Sequence, residues 1–301
     1  MTLTTPRAPD PITPANSLPV LTVENLTVVY DVERPVTAVK DVNLTLARGE
    51  ILGLAGESGC GKTTLAYAIN RLHKPPARIA DGGRITFHDR NGTNLDLLNL
   101  GDEPLRMFRW DRLSMVFQGA MNALNPVTTI RAQLEDVLTT HRPEMKRAER
   151  RQVAGDVLEL VGVDRSRLKS FAHELSGGMR QRVMIAMALL LEPQVMIMDE
   201  PTTALDVVVQ REILREIVRL RDELNFAVIF ITHDLPLLLE ISDRIAIMLA
   251  GEIVELDTAR NIYGSPQHPY TKKLLGSFPS LTGERGNFIR TGVAEPQEDA
   301  K

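Results

Sequence analysis

The sequence has one cysteine, no long apolar run and little excess of charge of either sign. The single cysteine, Cys60, rules out a disulfide within the chain, which fits a reducing compartment. The longest apolar run begins at Val183 and has 9 residues, whereas a membrane-spanning helix needs about 20. The chain is therefore not expected to cross a membrane. Its net charge of −4 argues against a nucleic-acid-binding protein held mainly by phosphate contacts.

Apolar residues nevertheless make up 43% of the 301 residues, which is enough for a sizeable core. From Ile51 onward, short apolar strands alternate with helical patterns. This predicts an α/β fold with a mainly parallel sheet covered on both faces. The segment from Val20 to Leu46 alternates in the manner of β-strands. The proline-rich residues 1–19 are interpreted as a flexible leader, and the polar stretch from about Gly283 as a loosely held tail.

The residues from Gly56 to Thr63 read G-E-S-G-C-G-K-T after an apolar strand, which is the pattern of a phosphate-binding loop. Glycines let backbone N–H groups converge on an anion, and the following helix adds the unpaired donors of its first turn. Lys62 supplies a positive charge for the outer phosphates, and Thr63 a hydroxyl ligand for Mg²⁺. The motif alone does not separate kinases, GTPases, helicases and transport ATPases. The residues expected to bind the nucleotide here are Gly56, Glu57, Ser58, Gly59, Cys60, Gly61, Lys62, Thr63 and Thr64.

Two carboxylates end the apolar strand "VMIMDE". Ligands of doubly wound sheets bind at the carboxyl ends of the strands. Asp199 is therefore predicted to hold Mg²⁺, and Glu200 to be the general base that activates water for attack on the γ-phosphate. The alternative is that both carboxylates cap the next helix.

Two further polar residues, Gln118 and His233, each follow another predicted apolar strand. Each is weak evidence alone, and a histidine at a strand end is more often structural. Together they offer a water-orienting amide and a γ-phosphate contact around one site, with Gln118 also counted as a metal ligand. Both are therefore added to Glu200 as candidate catalytic residues.

The stretch "LSGGMRQR", residues 175–182, places a serine and two glycines before a long helix, which makes a second anion site. Residues 20–280 resemble the ATP-binding cassette family, the ATPase subunits of ABC transporters. The motifs stand in that family's order: the phosphate loop, Gln118, this signature, the acidic strand end, "ALD" at 204–206, and His233. The resemblance implies a P-loop ATPase fold with an N-terminal antiparallel β subdomain. It also implies a helical subdomain at about 119–180 within a cassette of residues 20–257.

The resemblance further implies how the ATP site is completed. In this family the signature of one subunit completes the site of another in a head-to-tail dimer. Ser176, Gly177 and Gly178 are therefore expected to bind γ-phosphate in trans, in a partner that is a second copy or a paralogue. Tyr30 is expected to stack on adenine, with an ordinary strand-end aromatic as the alternative.

Two finer features are similar to the oligopeptide/dipeptide importer subfamily. One is the segment "MVFQGAMNALNP" around Gln118; the other is segment 264–284, whose core is His268, Pro269, Tyr270 and Thr271. A generic amphipathic C-terminal helix is the alternative for the second segment. Residues 258–301 are assigned to this extension and tail. Many members continue into a cysteine-bearing tail that can hold an iron–sulfur cluster, but in this chain no cysteine follows Cys60, so no such cluster is expected.

The leading hypothesis is an importer ATPase on the cytoplasmic face of two membrane-spanning permease subunits, served indirectly by an extracytoplasmic solute-binding protein. The sequence of the cassette does not identify the transported solute, because the subfamily also includes ATPases of importers for oligosaccharides and nickel. Other hypotheses are a cassette ATPase of DNA repair or translation, a small-molecule kinase and an exporter subunit. The segment 118–126 is expected near the permeases, where Met121 and Leu124 form either a docking surface or part of the core.

Overall fold

The computed structural model describes residues 18–277, except Ala204 and the side chain of Met121. Nearly all of the predicted leader, and the tail after residue 277, lie outside the described residues. The strands are β1 (Pro19–Tyr30), β2 (Val36–Ala47), β3 (Ile51–Ala55), β4 (Ala77–Ile79), β5 (Arg84–His88), β6 (Asn94–Asp96), β7 (Leu113–Val116), β8 (Val195–Asp199), β9 (Ala227–Ile231), β10 (Arg244–Leu249) and β11 (Glu252–Thr258). The α-helices are α1 (Lys62–Ile69), α2 (Asp102–Asp111), α3 (Ile130–His141), α4 (Arg147–Leu160), α5 (Gly177–Leu189), α6 (Val207–Leu224), α7 (Leu235–Ile241), α8 (Ala259–Gly264) and α9 (Pro269–Gly276). Short 3-10 helices span Ala120–Asn122, Arg165–Lys169 and Ala172–Glu174.

The larger sheet, within the described residues, has six strands in the order β11-β10-β3-β9-β8-β7. From β10 to β7 all neighbours are parallel, and β11 pairs antiparallel with β10. Alternate residues of its strands enter two different cores: on β8, Met196 and Met198 lie in one, and Val195 and Ile197 in the other. The predicted parallel sheet with both faces covered is therefore confirmed.

The N-terminal part forms a second, antiparallel sheet, in the order β2-β1-β5-β6 with β4 paired to β1. Its buried residues share one apolar core with α1 and with one face of the larger sheet. This packing holds the start of α1 between the two sheets. The phosphate loop, which precedes α1, is thereby placed at the edge of the larger sheet where its parallel strands end.

Helices α3 to α5 lie between β7 and β8 along the chain, and α2 directly precedes β7. The pair Leu134 and Leu138 places one face of α3 in the core, and Thr129 caps this helix by accepting the N–H of Ala132. The basic run at 146–151 is mostly exposed at the start of α4, as its composition predicts. No helix in residues 18–277 combines the length and apolar character that a bilayer span requires.

Several element ends differ from the sequence prediction. The sequence pattern predicts a helix from about Lys62 to Leu72, but α1 ends at Ile69, because Arg71 adopts a left-handed backbone with φ 49°. The sequence pattern predicts that the helix opened by "LSGG" runs to Leu191, but α5 ends at Leu189, three residues before Glu192, which has φ 52°. The pattern "LSMVF" predicts a strand to Phe117, but β7 ends at Val116, so Gln118 follows the strand by two residues instead of one.

Candidate active site

The phosphate loop joins the buried strand β3 to α1 and passes close to two other backbone segments. At Gly56, with φ +154°, a Cβ atom would lie 2.3 Å from the carbonyl oxygen of Met248. At Gly61, with φ +108°, it would lie 2.2 Å from the carbonyl oxygen of Ala38. Since no side chain fits either position, these two glycines are required by the close approach of backbone as well as by conformation.

Lys62 lies almost wholly inside the loop, with 6% of its surface exposed. Its Nζ donates to the carbonyl oxygens of Gly56 at 2.8 Å and Glu57 at 2.9 Å, and lies 3.6 Å from the sulfur of Cys60. Lys62 is therefore not a solvent-exposed lysine on an ordinary glycine-rich turn. The ammonium group is held where backbone oxygens of the loop converge.

Asp199 ends β8 beside the first turn of α1 and is 1% exposed. Its Oδ1 accepts a hydrogen bond from the Thr63 hydroxyl at 3.3 Å, while its buried Oδ2 has no hydrogen-bond partner. Burial raises the pKa of this carboxyl group, and the charge of Glu200 adds to the rise, whereas the Thr63 hydroxyl and Lys62 oppose it. An unsatisfied carboxylate oxygen at this depth is costly unless a cation or a donor reaches it.

Glu200 leaves the line of the strand through a left-handed backbone with φ 44°. Its carboxylate then lies between two side chains from neighbouring segments. Gln118 Nε2 donates to Oε2 at 2.9 Å, and His233 Nδ1 lies 3.1 Å from Oε1. The candidate catalytic side chains that the sequence placed at three separate strand ends thus meet at one carboxylate. The helix-capping alternative is wrong, because Asp206 caps α6 by accepting the N–H groups of Val208 and Val209.

The signature stretch lies at the start of α5. Ser176 caps this helix, with its Oγ accepting the N–H of Met179 at 3.3 Å, and Gly177 and Gly178 form the first turn. In the described part of the chain, no hydrogen bond joins residues 176–178 to the phosphate loop. Tyr30 ends β1 next to that loop, with its hydroxyl 3.3 Å from Thr64 Oγ1. The structure therefore brings Tyr30 to the helix turn that follows the loop, and within the described residues it shows no hydrogen bond from the signature to the loop.

Comparison with known proteins identifies the family. The ABC transporter model matches residues 39–203, and the model of the oligopeptide/dipeptide transporter C-terminal region matches residues 254–300. The chain belongs to the ABC transporter family. The ABC ATPase is 44% identical to the dipeptide transport ATP-binding protein DppD of Bacillus subtilis, over 87% of this chain and 77% of the relative. It is 43% identical to the oligopeptide transport ATP-binding protein OppD of Salmonella typhimurium, over 92% of this chain and 80% of the relative.

Solved structures of ABC transporter cassettes have the same fold as this chain. One is the dimeric post-hydrolysis state of the ATP-binding cassette MJ0796 bound to ADP and phosphate. It has a TM-score of 0.68 and 30% identity, and covers 80% of this chain and 99% of the solved chain. A second solved structure is cbiO1 from Clostridium perfringens, described as part of the ABC transporter complex cbiONQ. It has a TM-score of 0.66 and 27% identity, and covers 82% of this chain and 91% of the solved chain. The predicted fold and family are confirmed, and the protein is an ATP-binding ATPase coupled to transport.

One contact of the ABC ATPase site was missed by the sequence analysis. The N–H of Glu57, in the phosphate loop, donates to the hydroxyl of Tyr270 on α9 at 3.1 Å. The sequence marked Tyr270 as part of the C-terminal extension but gave no sign that it reaches the loop. A separation of 213 residues carries no local pattern, so only the packed structure shows this contact.

Proposed function

We propose that this ABC ATPase powers the import of dipeptides or oligopeptides from the cytoplasmic face of two membrane-spanning permease subunits. Two relatives at 43–44% identity are named for dipeptide and oligopeptide transport. The match of residues 254–300 to the C-terminal region of such transporters favours the same solute class. The cassette is assigned to residues 20–257, its helical subdomain to about 119–180, and the extension to 258–301. The observation that carries hydrolysis is the Glu200 carboxylate, held between Gln118 and His233 beside Asp199.

The phosphate loop binds the outer phosphates of ATP. Lys62 already points into the loop, where its ammonium group is satisfied by two backbone carbonyl oxygens. Phosphate oxygens are stronger acceptors than neutral carbonyls, so the ammonium group turns to them when ATP enters. The backbone N–H groups of the loop and the first turn of α1 supply the remaining donors. Tyr30, at the end of β1, stacks on the adenine ring.

Mg²⁺ fits the residues at the end of β8. Thr63 offers a hydroxyl, and Asp199 a buried carboxylate with one oxygen lacking a partner. The amide oxygen of Gln118 is a third oxygen ligand of the kind that Mg²⁺ accepts. No cluster of three or more His, Cys, Asp or Glu side chains in residues 18–277 forms a metal cage. The remaining ligands would therefore be phosphate and water oxygens, as is usual for Mg²⁺. The ion would neutralise charge on the phosphates during transfer.

Glu200 acts as the general base. A water molecule attacks the γ-phosphorus, and its proton passes to the Glu200 carboxylate. The bond between the γ-phosphorus and the oxygen that bridges the β- and γ-phosphates breaks, which gives ADP and phosphate. Gln118 and His233 fix the orientation of the carboxylate through the bonds to its two oxygens. His233, whose side chain is 58% exposed, is assigned the γ-phosphate contact. All atoms of the products ADP and phosphate come from ATP and the attacking water, and the Glu200 carboxylate takes up the proton that the water loses.

A second cassette completes each site. The N-terminal end of α5 carries Ser176, Gly177 and Gly178, and makes no hydrogen bond to the phosphate loop of its own chain within the described residues. The related cassette MJ0796 is dimeric in its ADP-bound and phosphate-bound state. We therefore assign these three residues to the γ-phosphate of the partner, which is a second copy or a paralogue.

The permeases are proposed to contact the segment after β7. Val127 is 80% exposed and Phe117 is 37% exposed, which makes them available apolar residues on this stretch. Leu124, for which docking and core were both open, is 4% exposed and belongs to the core. The docking surface is therefore assigned to the exposed residues that flank it.

Uptake in cells tests the proposed solute class. A strain lacking this chain would receive either the wild type or Glu200→Gln, and uptake of a labelled dipeptide and a labelled tripeptide would be measured. We expect uptake with the wild type alone. Labelled nickel ion and a labelled oligosaccharide serve as comparison solutes. If one of those depends on the chain and neither peptide does, the peptide assignment is wrong although the ATPase assignment stands.

A further inference from the structure

The peptide group that joins Gly56 to Glu57 is hydrogen-bonded at both ends. Its carbonyl oxygen, on Gly56, accepts from Lys62 Nζ at 2.8 Å. Its N–H, on Glu57, donates to the hydroxyl of Tyr270 at 3.1 Å. A peptide group is planar, so a bond that fixes the N–H also fixes the direction of the carbonyl oxygen. The tyrosine hydroxyl and the loop lysine therefore act on the same rigid unit from opposite sides.

Tyr270 is itself held by a hydrogen-bond network that starts on β11. Glu255, which is 8% exposed, accepts the N–H of Gln267 at 2.7 Å and that of His268 at 3.0 Å, one on each carboxylate oxygen. His268 Nδ1 in turn accepts the N–H of Tyr270 at 3.2 Å and caps α9. Tyr270 is 9% exposed and the next residue, Thr271, is fully buried. The position of the hydroxyl is thus set by contacts to the sheet and not by the loop that it touches.

We propose that Tyr270 is a positioning residue for nucleotide binding: its hydroxyl orients the Gly56–Glu57 peptide group and so presets the phosphate loop and Lys62 for ATP. The inference rests on the proposed placement of the ATP phosphates at this loop. A loop that is already ordered loses less conformational freedom when its ligand binds, and this raises affinity. The C-terminal extension, on this account, is part of the nucleotide site of its own chain. It acts on binding and not on the chemical step, because Tyr270 has no hydrogen bond to Glu200, Gln118 or His233.

The test uses Tyr270→Phe in the full-length chain, which keeps the ring and removes the hydroxyl alone. Tyr263→Phe is the matched control, since Tyr263 lies on α8 and is 49% exposed. Loss of one hydrogen bond of ordinary net strength predicts a 3- to 10-fold rise in the dissociation constant for ATP, using about 1 kcal/mol per bond. In the assembled transporter, KM for ATP should rise by the same factor, with kcat within about twofold of wild type. Hydrogen exchange of the Glu57 amide should become faster in Tyr270→Phe and stay unchanged in the control.

An ATP affinity and a KM equal to those of Tyr263→Phe would overturn the proposal, as would a fall in kcat with KM unchanged. If Tyr270→Phe unfolds, Glu57 amide exchange is measured instead in Glu255→Gln, which weakens the anchor of α9 and leaves the tyrosine in place. Unchanged exchange there would also overturn it. Lys62→Ala in the same binding assay distinguishes the role of Tyr270 from the proposed position of the ATP site. If Lys62→Ala loses ATP and Tyr270→Phe does not, only the role of Tyr270 is wrong; if Lys62→Ala also binds normally, the proposed ATP site is wrong.

Discussion

Replacement of Lys62 by alanine removes the one ammonium group inside the phosphate loop. In the structure this group makes two hydrogen bonds to backbone carbonyl oxygens. When ATP is bound, the same two donors are expected to serve phosphate oxygens. A hydrogen bond to a charged group contributes about 1.5–3 kcal/mol, so the loss of two corresponds to about 3–6 kcal/mol. The dissociation constant for ATP should then rise by about 10²- to 10⁴-fold.

The fold itself should survive this change. The carbonyl oxygens of Gly56 and Glu57 lose a donor, but Glu57 is exposed and water can replace the lysine there. Lys146→Ala is the matched control, because Lys146 is an exposed lysine at the start of α4. Isothermal titration calorimetry would measure ATP binding of both variants, and thermal unfolding without nucleotide would check their fold. An ATP affinity of Lys62→Ala within about threefold of the control would refute the placement of phosphates in this loop.

Other changes test separate parts of the site. Cys60, the single cysteine and 6% exposed, should be alkylated by a maleimide several-fold more slowly with ATP bound; an unchanged rate would show that the loop does not enclose nucleotide. In Asp199→Asn, Mg²⁺ should no longer raise the affinity for ATP, while the affinity without Mg²⁺ should stay within a few-fold of wild type. If Mg²⁺ raises the affinity of this variant as much as that of the wild type, Asp199 is not a ligand of the ion. Burial lowers the pKa of His73 and of His141, so the unfolded chain binds more protons than the folded chain once the pH falls below about 6.5. The free energy of unfolding, measured by denaturant titration, should therefore decrease on acidification through this range, and the decrease should be smaller in His141→Gln. If wild type and His141→Gln show the same change of this free energy with pH, burial of His141 is not its cause.

Much of the site was predictable because its signals are local. A glycine-rich loop between an apolar strand and a helix can be recognised within a dozen residues, and two carboxylates after an apolar run mark the end of β8. The convergence of Gln118 and His233 on Glu200 followed from the rule that parallel strands end at one edge. The left-handed turn at Glu200, which brings its carboxylate between them, has no sequence signal of its own.

The remaining features depend on packing between distant segments. Leu124 is an apolar residue in a loop, and only the structure shows that it joins the core. The contact of Tyr270 with Glu57 depends on how β11 and α9 fold back towards the loop. The stretch from Leu235 to Thr258 contains α7, β10 and β11, for which no prediction was made because no motif drew attention to it. Sequence patterns thus identified the chemical groups, and tertiary structure decided which of them meet.

The central claim is that different residues of one site bind ATP and hydrolyse it: the phosphate loop binds the nucleotide, and Glu200 is the general base. Glu200→Gln keeps the size of the side chain but cannot take a proton from water. Loss of general-base help costs about 10²- to 10⁴-fold in rate, while ATP affinity should persist because the loop is intact. Glu149→Gln, an exposed change on α4, is the control.

The decisive measurement is the rate of ATP hydrolysis by the assembled transporter carrying Glu200→Gln, together with size exclusion of the cassette and its partner in ATP or ADP. The account predicts hydrolysis reduced by at least about 100-fold, and a cassette dimer that accumulates with ATP but not with ADP. Hydrolysis at the rate of the Glu149→Gln control would show that Glu200 is not the base and would contradict the account.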